Sequence, residues 1–306
     1  MPDANHSGLV SVIIPLYNHA HFIKQALESV VAQGEIVKEV IVIDDGSKDD
    51  SLSIARAFAA AHPHIKVSSH ENRGAAATLN RGVQEATGEF VAILNSDDYW
   101  MPERLTRLVR ALDLDAGLAL AASGISFVDG DGRESQNIWY EQALGQFVAG
   151  RDLGLALVDA NFLMTTSNFV VRRHVFARLG GFADIRYAHD LDFVLRLAVR
   201  GLRIGFIDDK LLAYRSHGTN TIKESHQKVR VDWAIVSAFY LWCLMGKVPQ
   251  DQMRIQKCRR ILDRHRLTKA VDDCVRYFEA NASVSLVDNR LIGDSIMKSK
   301  LYMAVL

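Results

Sequence analysis

"LVSVIIPLYNHAHFIKQALESVVAQGEIVKEVIVIDDGS", residues 9–47, sets two short β-branched runs on either side of a helical pattern. Leu9 to Pro15 and Glu39 to Asp44 are nearly continuous in Val and Ile, the pattern of strands covered on both faces. Between them, His19 to Gln33 places Phe22, Ile23, Ala26, Leu27, Val30 and Val31 at helical spacing, which completes a βαβ unit. The device repeats: Ser51 to His62 reads as a helix, Ile65 to Ser69 as a strand, Ala75 to Ala86 as a helix and Glu89 to Leu94 as a buried strand. This alternation predicts an α/β fold of Rossmann-like type, a mostly parallel sheet with right-handed crossovers and flanking helices. Ligands of such sheets bind at the carboxyl ends of the strands. Three of those ends carry unusual polar residues: Pro15, Tyr17 and Asn18; Asp44 and Asp45 with Gly46 and Ser47; and Asn95 to Asp98.

Further along, a helix follows Pro102 to about Asp113, and the apolar run Leu118 to Val128 closes on the turn sequence Asp129 to Gly132. A helix begins after Ala188, with Leu191, Val194, Leu195 and Ala198 on one face. "RIGFID" and "LLAYRSH" read as two short strands, and beyond Thr219 the segments Glu224 to Met245 and Gln250 to Ala280 read as one helix each. The simplest partition is a catalytic-size α/β domain over residues 1–219 and a helical C-terminal extension over 220–306.

Composition narrows the partners. Lys plus Arg and Asp plus Glu number 36 each, so no global field favours nucleic acid or an anionic membrane. Three cysteines far apart, with no CxxC pair, argue against a disulfide framework or structural zinc and fit a reducing compartment. The N-terminal residues show no secretory pattern, so a cytoplasmic protein is expected. "WAIVSAFYLWCLMG", Trp233 to Gly246, has only 14 uncharged residues against the roughly 20 a bilayer span needs. It reads as a core helix; the alternative is an interfacial helix aided by Arg254, Lys257, Arg259, Arg260, Arg264 and Arg266, giving peripheral contact with the inner face of a membrane.

Neighbouring carboxylates at a strand end pack poorly, because an unpaired buried carboxylate costs several kcal/mol. A hard divalent ion such as Mg²⁺ or Mn²⁺ takes carboxylate oxygens and bridges to phosphates, so Asp97 and Asp98 are candidate ligands. The competing reading makes Asp98 a cap for the next helix, or both residues turn-formers. The acidic end at "VIVIDDGSKDDS" and the helix start at Arg73 and Gly74, suited to a phosphate, tilt the balance toward a phosphate-bearing ligand. The alternative for Asp44 to Ser51 is a loop with a helix N-cap at Asp49 or Ser51, which is compatible, for Ser51, with Asp45 facing a ligand.

At this point the chain resembles the family 2 glycosyltransferases, which share the A-type nucleotide-sugar-binding fold. The likeness covers roughly residues 9–219, through "VSVIIPLYN", "VIVIDDGSKDDS", "ENRGAAATLNRGVQEATGEFVAILNSDDYWMP", "GGF" and "HDLDFVLRLA" in that order. The resemblance implies that Pro15, Tyr17 and Asn18 line the nucleotide site, that Asp45 with Asp44 accepts from the base, and that Arg73 approaches the nucleotide. It makes Asp97 the metal-binding Asp of the DxD motif, with Asp98 beside it, and brings His217 of "YRSHGTN" to the metal. Asn95 stands where the motif has its first Asp, leaving a neutral oxygen donor for ribose or a metal-bound water. Asp190 takes the place of the general base, preceded by His189 where the family has Glu. Asp190 could instead cap its helix, with Asp192 pairing with Arg196 at i,i+4.

The implied chemistry is inverting transfer from a nucleotide-diphospho-sugar, a UDP-sugar first, to a glycan or lipid-linked acceptor, aided by Mn²⁺ or Mg²⁺. A nucleotidyltransferase would need a Gly-rich, Lys-bearing phosphate loop after the first strand, and "PLYNHAHF" is not one. A binding or scaffold protein on the same fold is the alternative that Asn95 and His189 keep open.

Overall fold

Strands that are apolar on both sides of the pleat are stable only when both faces are covered. Val10–Leu16 (β1) and Val37–Asp44 (β2) accordingly lie inside a mixed sheet and not at its edge. The computed structural model describes residues 8–150, 152–246 and 251–280. The first seven residues, read above for a leader, and the end of the C-terminal extension, 281–306, lie outside them.

Ile65–Ser69 (β3), Phe90–Ile93 (β4), Tyr99–Trp100 (β5), Leu118–Val128 (β6), Glu134–Ser135 (β7), Val170–Arg172 (β8) and Arg203–Arg215 (β9) complete the strands among the described residues. Their order is β3-β2-β1-β4-β8-β6-β9-β5, with β7 beside β6. β1 to β4 run parallel, β8 is antiparallel to both β4 and β6, and β9 returns parallel to β6. Ile23–Val31 (α1), Ser51–Ala59 (α2) and Ala75–Glu85 (α3) are the crossovers, and Arg104–Leu114 (α4) packs on β6. α3 lies so close to β1 that a Cβ at Gly82 would sit 2.5 Å from Ile13 Cγ2.

Register decides where the loops gather. Leu16 pairs with Asp44 and Asp44 with Ser69, so β1, β2 and β3 finish at one level, and Leu94 N–H donates to Ile13 O just after β4. Right-handed parallel crossovers place these ends on one edge of the sheet.

Two expectations are corrected. The segments "RIGFID" and "LLAYRSH" belong to one strand, β9, 13 residues long. Its pairing with β6 jumps from Ser123↔Ile207 to Gly124↔Lys210, so Asp208 and Asp209 form a bulge that imitates a turn in the sequence. Gly124 makes room for it, since a Cβ there would lie 2.5 Å from Asp208 O. The second long C-terminal helix is two, Gln252–Arg264 (α10) and Thr268–Ala280 (α11). Arg266 turns the chain between them with φ 56°, and Leu267 N–H reaches back to Leu262 O.

By residue contacts the described chain forms two compact units. The first runs to Gln136 and adds Thr165–Gly181 and Arg203–His217; it holds the sheet, α1 to α4 and His174–Leu179 (α7). The second takes Asn137–Met164, Phe182–Leu202 and the chain from Gly218 onward. It is helical: Ile138–Val148 (α5), Leu153–Asp159 (α6), His189–Val199 (α8), His226–Met245 (α9), α10 and α11. α9 contains the apolar Trp233 to Gly246 segment, and Val231, Ile235, Tyr240, Leu241 and Leu244 are buried where it packs on α8, α10 and α11. Among the described residues no helix is long and apolar enough to cross a membrane.

Candidate active site

The ends of β1 and β2 are tied by polar contacts. Asn18 takes the left-handed φ of 53°, and its Oδ1 accepts from Lys48 N–H at 2.7 Å while its own N–H donates to Ser47 Oγ at 3.0 Å. Tyr17 stays 43% exposed beside it, with Pro15 half-buried in β1. Asp44 Oδ2 accepts from Ser69 Oγ at 2.8 Å. Asp45 accepts from Arg73 N–H at 2.7 Å and Gly74 N–H at 2.9 Å, which draws the start of α3 onto the sheet edge. Gly46 is required there: φ is 76°, and a Cβ would fall 2.9 Å from Asn72 N. Arg73 keeps its side chain exposed at this helix start. Pro15, Tyr17, Asn18, Asp44, Asp45 and Arg73 therefore come from strand ends and loops that the register brings to the same edge.

Beyond β4, the two neighbouring aspartates go separate ways. Asp98 is buried: one oxygen accepts from Arg215 N–H at 2.9 Å and the other from Ser167 Oγ at 2.6 Å. Burial, then the charge of Asp97, pushes its carboxyl well above the ordinary range, more strongly than Ser167 and Arg215 lower it. Asp98 does not cap α4, whose N-cap, Glu103, makes no side-chain cap bond. Asn95 is similarly engaged, donating to Thr165 Oγ1 at 2.9 Å and accepting from Thr166 Oγ1 at 3.1 Å. Asp97 instead faces two imidazoles. Its Oδ2 lies 3.0 Å from His217 Nε2 and 3.9 Å from His19 Nε2. Burial raises the Asp97 carboxyl, but the His217 hydrogen bond and the charges of His19 and His217 outweigh it, and the net direction is down. Burial lowers His19, which favours its neutral form.

His19, Asp97 and His217 each offer one ligand atom, all within 4.8 Å of one another, the one such group among the described residues. The structure thus brings together Asp97 and His217 of the expected metal residues, leaves Asp98 outside, and adds His19. The signal for His19 was its place directly after the Pro15 to Asn18 segment. Arg215 and Ser167 had no such signal, yet both hold the tip in place. Arg215 donates from Nε to Asp97 O at 2.9 Å and lies 4.9 Å from the centroid of the Phe22 ring. Arg104 is fully buried behind Ser167, donating to Asn168 Oδ1 at 3.0 Å, and burial lowers its guanidinium to about 9.

Asp190 belongs to the helical unit, in the first turn of α8. The N-cap of that helix is Ala188, so Asp190 is not the cap. Its Oδ2 accepts from Asn161 Nδ2 at 2.8 Å, while Asn161 Oδ1 is buried with no hydrogen-bond partner. Burial raises the Asp190 carboxyl; the charge of His189, the backbone at Leu191 and Asn161 lower it less. His189 Nδ1 lies 3.3 Å from Ile185 O, which orients its ring. Asp192 does pair with Arg196, fully buried, at 2.9 and 2.6 Å.

Comparison with known proteins supplies the family. The Escherichia coli protein named as an uncharacterized glycosyltransferase, YibD, is 28% identical over 231 residues, 73% of this chain and 66% of its own length. The crystal structure of S. aureus TarS residues 1–349 with UDP superposes with a TM-score of 0.63 at 20% identity, covering 84% of this chain and 71% of that one. The mannosyltransferase PcManGT from Pyrobaculum calidifontis, solved with GDP-Man and Mn²⁺, gives 0.58 at 20% identity, covering 100% and 88%. Both show the A-type nucleotide-sugar transferase fold with its mostly parallel sheet and flanking helices. The family profile described as "Glycosyl transferase family 2" matches residues 11–180, more than half of the 306-residue chain, and the chain belongs to the family 2 glycosyltransferases.

Proposed function

We propose that this glycosyltransferase moves a sugar from a nucleotide-diphospho-sugar, a UDP-sugar first, to an acceptor hydroxyl with inversion at the anomeric carbon. The observation that carries the reading is the gathering of the β1, β2 and β4 ends at one sheet edge, with Asp45 and Asp97 at their tips. The ligands named for TarS and PcManGT, UDP, and GDP-Man with Mn²⁺, are in keeping with it.

Tyr17, with Pro15 and Asn18, lines the base; Asp45 and Asp44 take its ring N–H; Arg73 approaches the nucleotide through its exposed guanidinium. Asn95 serves the ribose side through its carbonyl oxygen. The donor set at the β4 tip fits a divalent ion by its chemistry, since a carboxylate oxygen of Asp97 and the Nε2 of His217, now hydrogen-bonded at 3.0 Å, are both ligand types such an ion would take. Asp98 supports that corner through Arg215 and Ser167. Asp97 and His217 would hold Mn²⁺ or Mg²⁺, which when bound would supply Lewis-acid neutralisation of charge on the departing diphosphate.

Asp190 takes the proton of the acceptor hydroxyl as the new C–O bond forms and the bond to phosphate breaks, its electron pair leaving with the diphosphate. A well-placed base of this kind is worth about 10²- to 10⁴-fold. Its raised pKa strengthens it as a base, and Asn161 holds its orientation. No covalent intermediate is needed. We assign the reaction to cell-surface polysaccharide or lipid-linked glycan assembly in the cytoplasm, where the buried thiols Cys243, Cys258 and Cys274 suit a reducing compartment.

A nucleotide-sugar hydrolysis screen with Mn²⁺ or Mg²⁺ tests the reading. Turnover of one donor is expected, abolished in Asp97→Ala, with donor binding kept but transfer lost in Asp190→Asn. Indifference to both substitutions would remove the assignments.

A further inference from the structure

Each of the other oxygen donors at the β4 tip is already committed. The Asn95 amide bonds Thr165 and Thr166, and the Asp98 oxygens bond Arg215 N–H and Ser167 Oγ. Asp97 is the carboxylate whose Oδ2 faces the imidazoles, 3.0 Å from His217 Nε2, and a single carboxylate is a weak set for an ion that prefers oxygen. Beside it the β1–α1 loop delivers a nitrogen. His19 Nε2 lies 3.9 Å from Asp97 Oδ2, beyond hydrogen-bond reach, so the ring is not placed there to bond the carboxylate. Adjacent ligands of an octahedral ion are roughly 3 Å apart and opposite ones about 4.2 Å at ~2.1 Å bonds. The spacings of 3.0 and 3.9 Å fall at and between these values. The rings of His19 and His217 stand 5.7 Å apart at 89°, so they approach from different directions.

His19 is also held as metal-bound imidazoles are held. Its Nδ1 lies 2.8 Å from Oγ of Ser96, a buried residue next to Asp97 in sequence, and its backbone N–H donates to Ser51 Oγ at 2.8 Å. With the proton on Nδ1, Ser96 accepts it and the Nε2 lone pair is left for a ligand bond.

We propose that His19 is a third protein ligand, forming with Asp97 and His217 a two-imidazole, one-carboxylate site that selects Mn²⁺ over Mg²⁺. This rests on the reading that Asp97 and His217 hold a cation. Two imidazoles and one carboxylate lower the negative charge and the oxygen count that Mg²⁺ requires, and they suit a first-row transition ion. The same loop carries Tyr17 and Asn18, so the residue that grips the ion is joined to those proposed at the nucleotide.

The test is direct titration of the full chain with Mn²⁺ alone and Mg²⁺ alone, by calorimetry and electron paramagnetic resonance, with electron spin echo detection of ¹⁴N at bound Mn²⁺. Two imidazole nitrogens are expected in the parent and one in His19→Ala, with Mn²⁺ affinity reduced at least tenfold and Mg²⁺ affinity changed less than threefold. Ser96→Ala, which removes only the orienting contact, is expected to weaken Mn²⁺ by about 10- to 100-fold. It also serves if His19→Ala does not fold. Unchanged Mn²⁺ affinity and one coupled nitrogen in the parent would overturn the role of His19 while Asp97→Ala still loses the ion. If Asp97→Ala binds Mn²⁺ like the parent, or the parent binds none, the underlying metal reading falls with it.

Discussion

Asp190 sits in the first turn of α8 with its carboxyl pushed up by burial, which fixes the sign of its pH dependence. In the proposed role of base only the ionised form accepts a proton, so the acid limb of the rate is expected to rise with pH through a pKa above the ordinary 3.8. His189 contributes charge that lowers that pKa, so His189→Ala is expected to move the limb to higher pH, read from the pH dependence of kcat. A limb that stays put would detach His189 from the base. Asp190→Asn is expected to cut transfer by about 10²- to 10⁴-fold with UDP affinity kept, measured by turnover and calorimetry side by side. The residues most legible in the sequence were those standing in contiguous motifs, such as Asp45 and Asp97. The partners of Asp98 were not legible, since Ser167 and Arg215 lie 69 and 117 positions away and only the fold brings them to it. His19 was hidden for a related reason: a lone loop histidine acquires meaning only from residues 78 or more positions away.

Among the elements, β2 is fastened to its neighbours by one buried carboxylate. Glu39 accepts from Ser11 Oγ at 2.8 Å, Thr87 Oγ1 at 2.7 Å and Lys66 Nζ at 2.9 Å. Burial alone would raise its pKa, but these hydrogen bonds outweigh it and hold the group at about 2 against a usual 4.5. A depressed folded pKa gives stability that is present above pH 4.5 and lost as the pH falls toward 2. The shift corresponds to about 3 kcal/mol as an upper figure, reduced because Lys66 is largely exposed. Urea unfolding between pH 6 and 3 should therefore show a steeper stability loss in the parent than in Glu39→Gln; parallel curves would contradict this. On the facing helix, Gly82→Ala pushes a methyl against the buried Ile13 and is expected to cost about 1–3 kcal/mol in the same assay. Periodicity found every crossover strand and helix of the first half because each obeys a single period. It divided β9 where the Asp208–Asp209 bulge interrupts the apolar run, and it joined α10 to α11 because "RHRL" contains no Gly or Pro to announce the break.

For the whole molecule, the family membership, the sheet and its edge of polar loops support the proposal of a donor site that takes a cation. Ligands that bind only the folded state stabilise it by mass action, so UDP with Mn²⁺ should raise the melting temperature more than either alone. Strand order was not legible beyond β4, because β8 and β9 enter the sheet from distant segments whose pairing leaves no periodic mark. The most direct measurement is calorimetric titration of UDP into the parent chain and into Asp97→Ala, each with and without Mn²⁺. The account predicts tight binding only in the parent with Mn²⁺, weakened at least tenfold by removing either the ion or the carboxylate. Equal UDP affinity in all four titrations would contradict it.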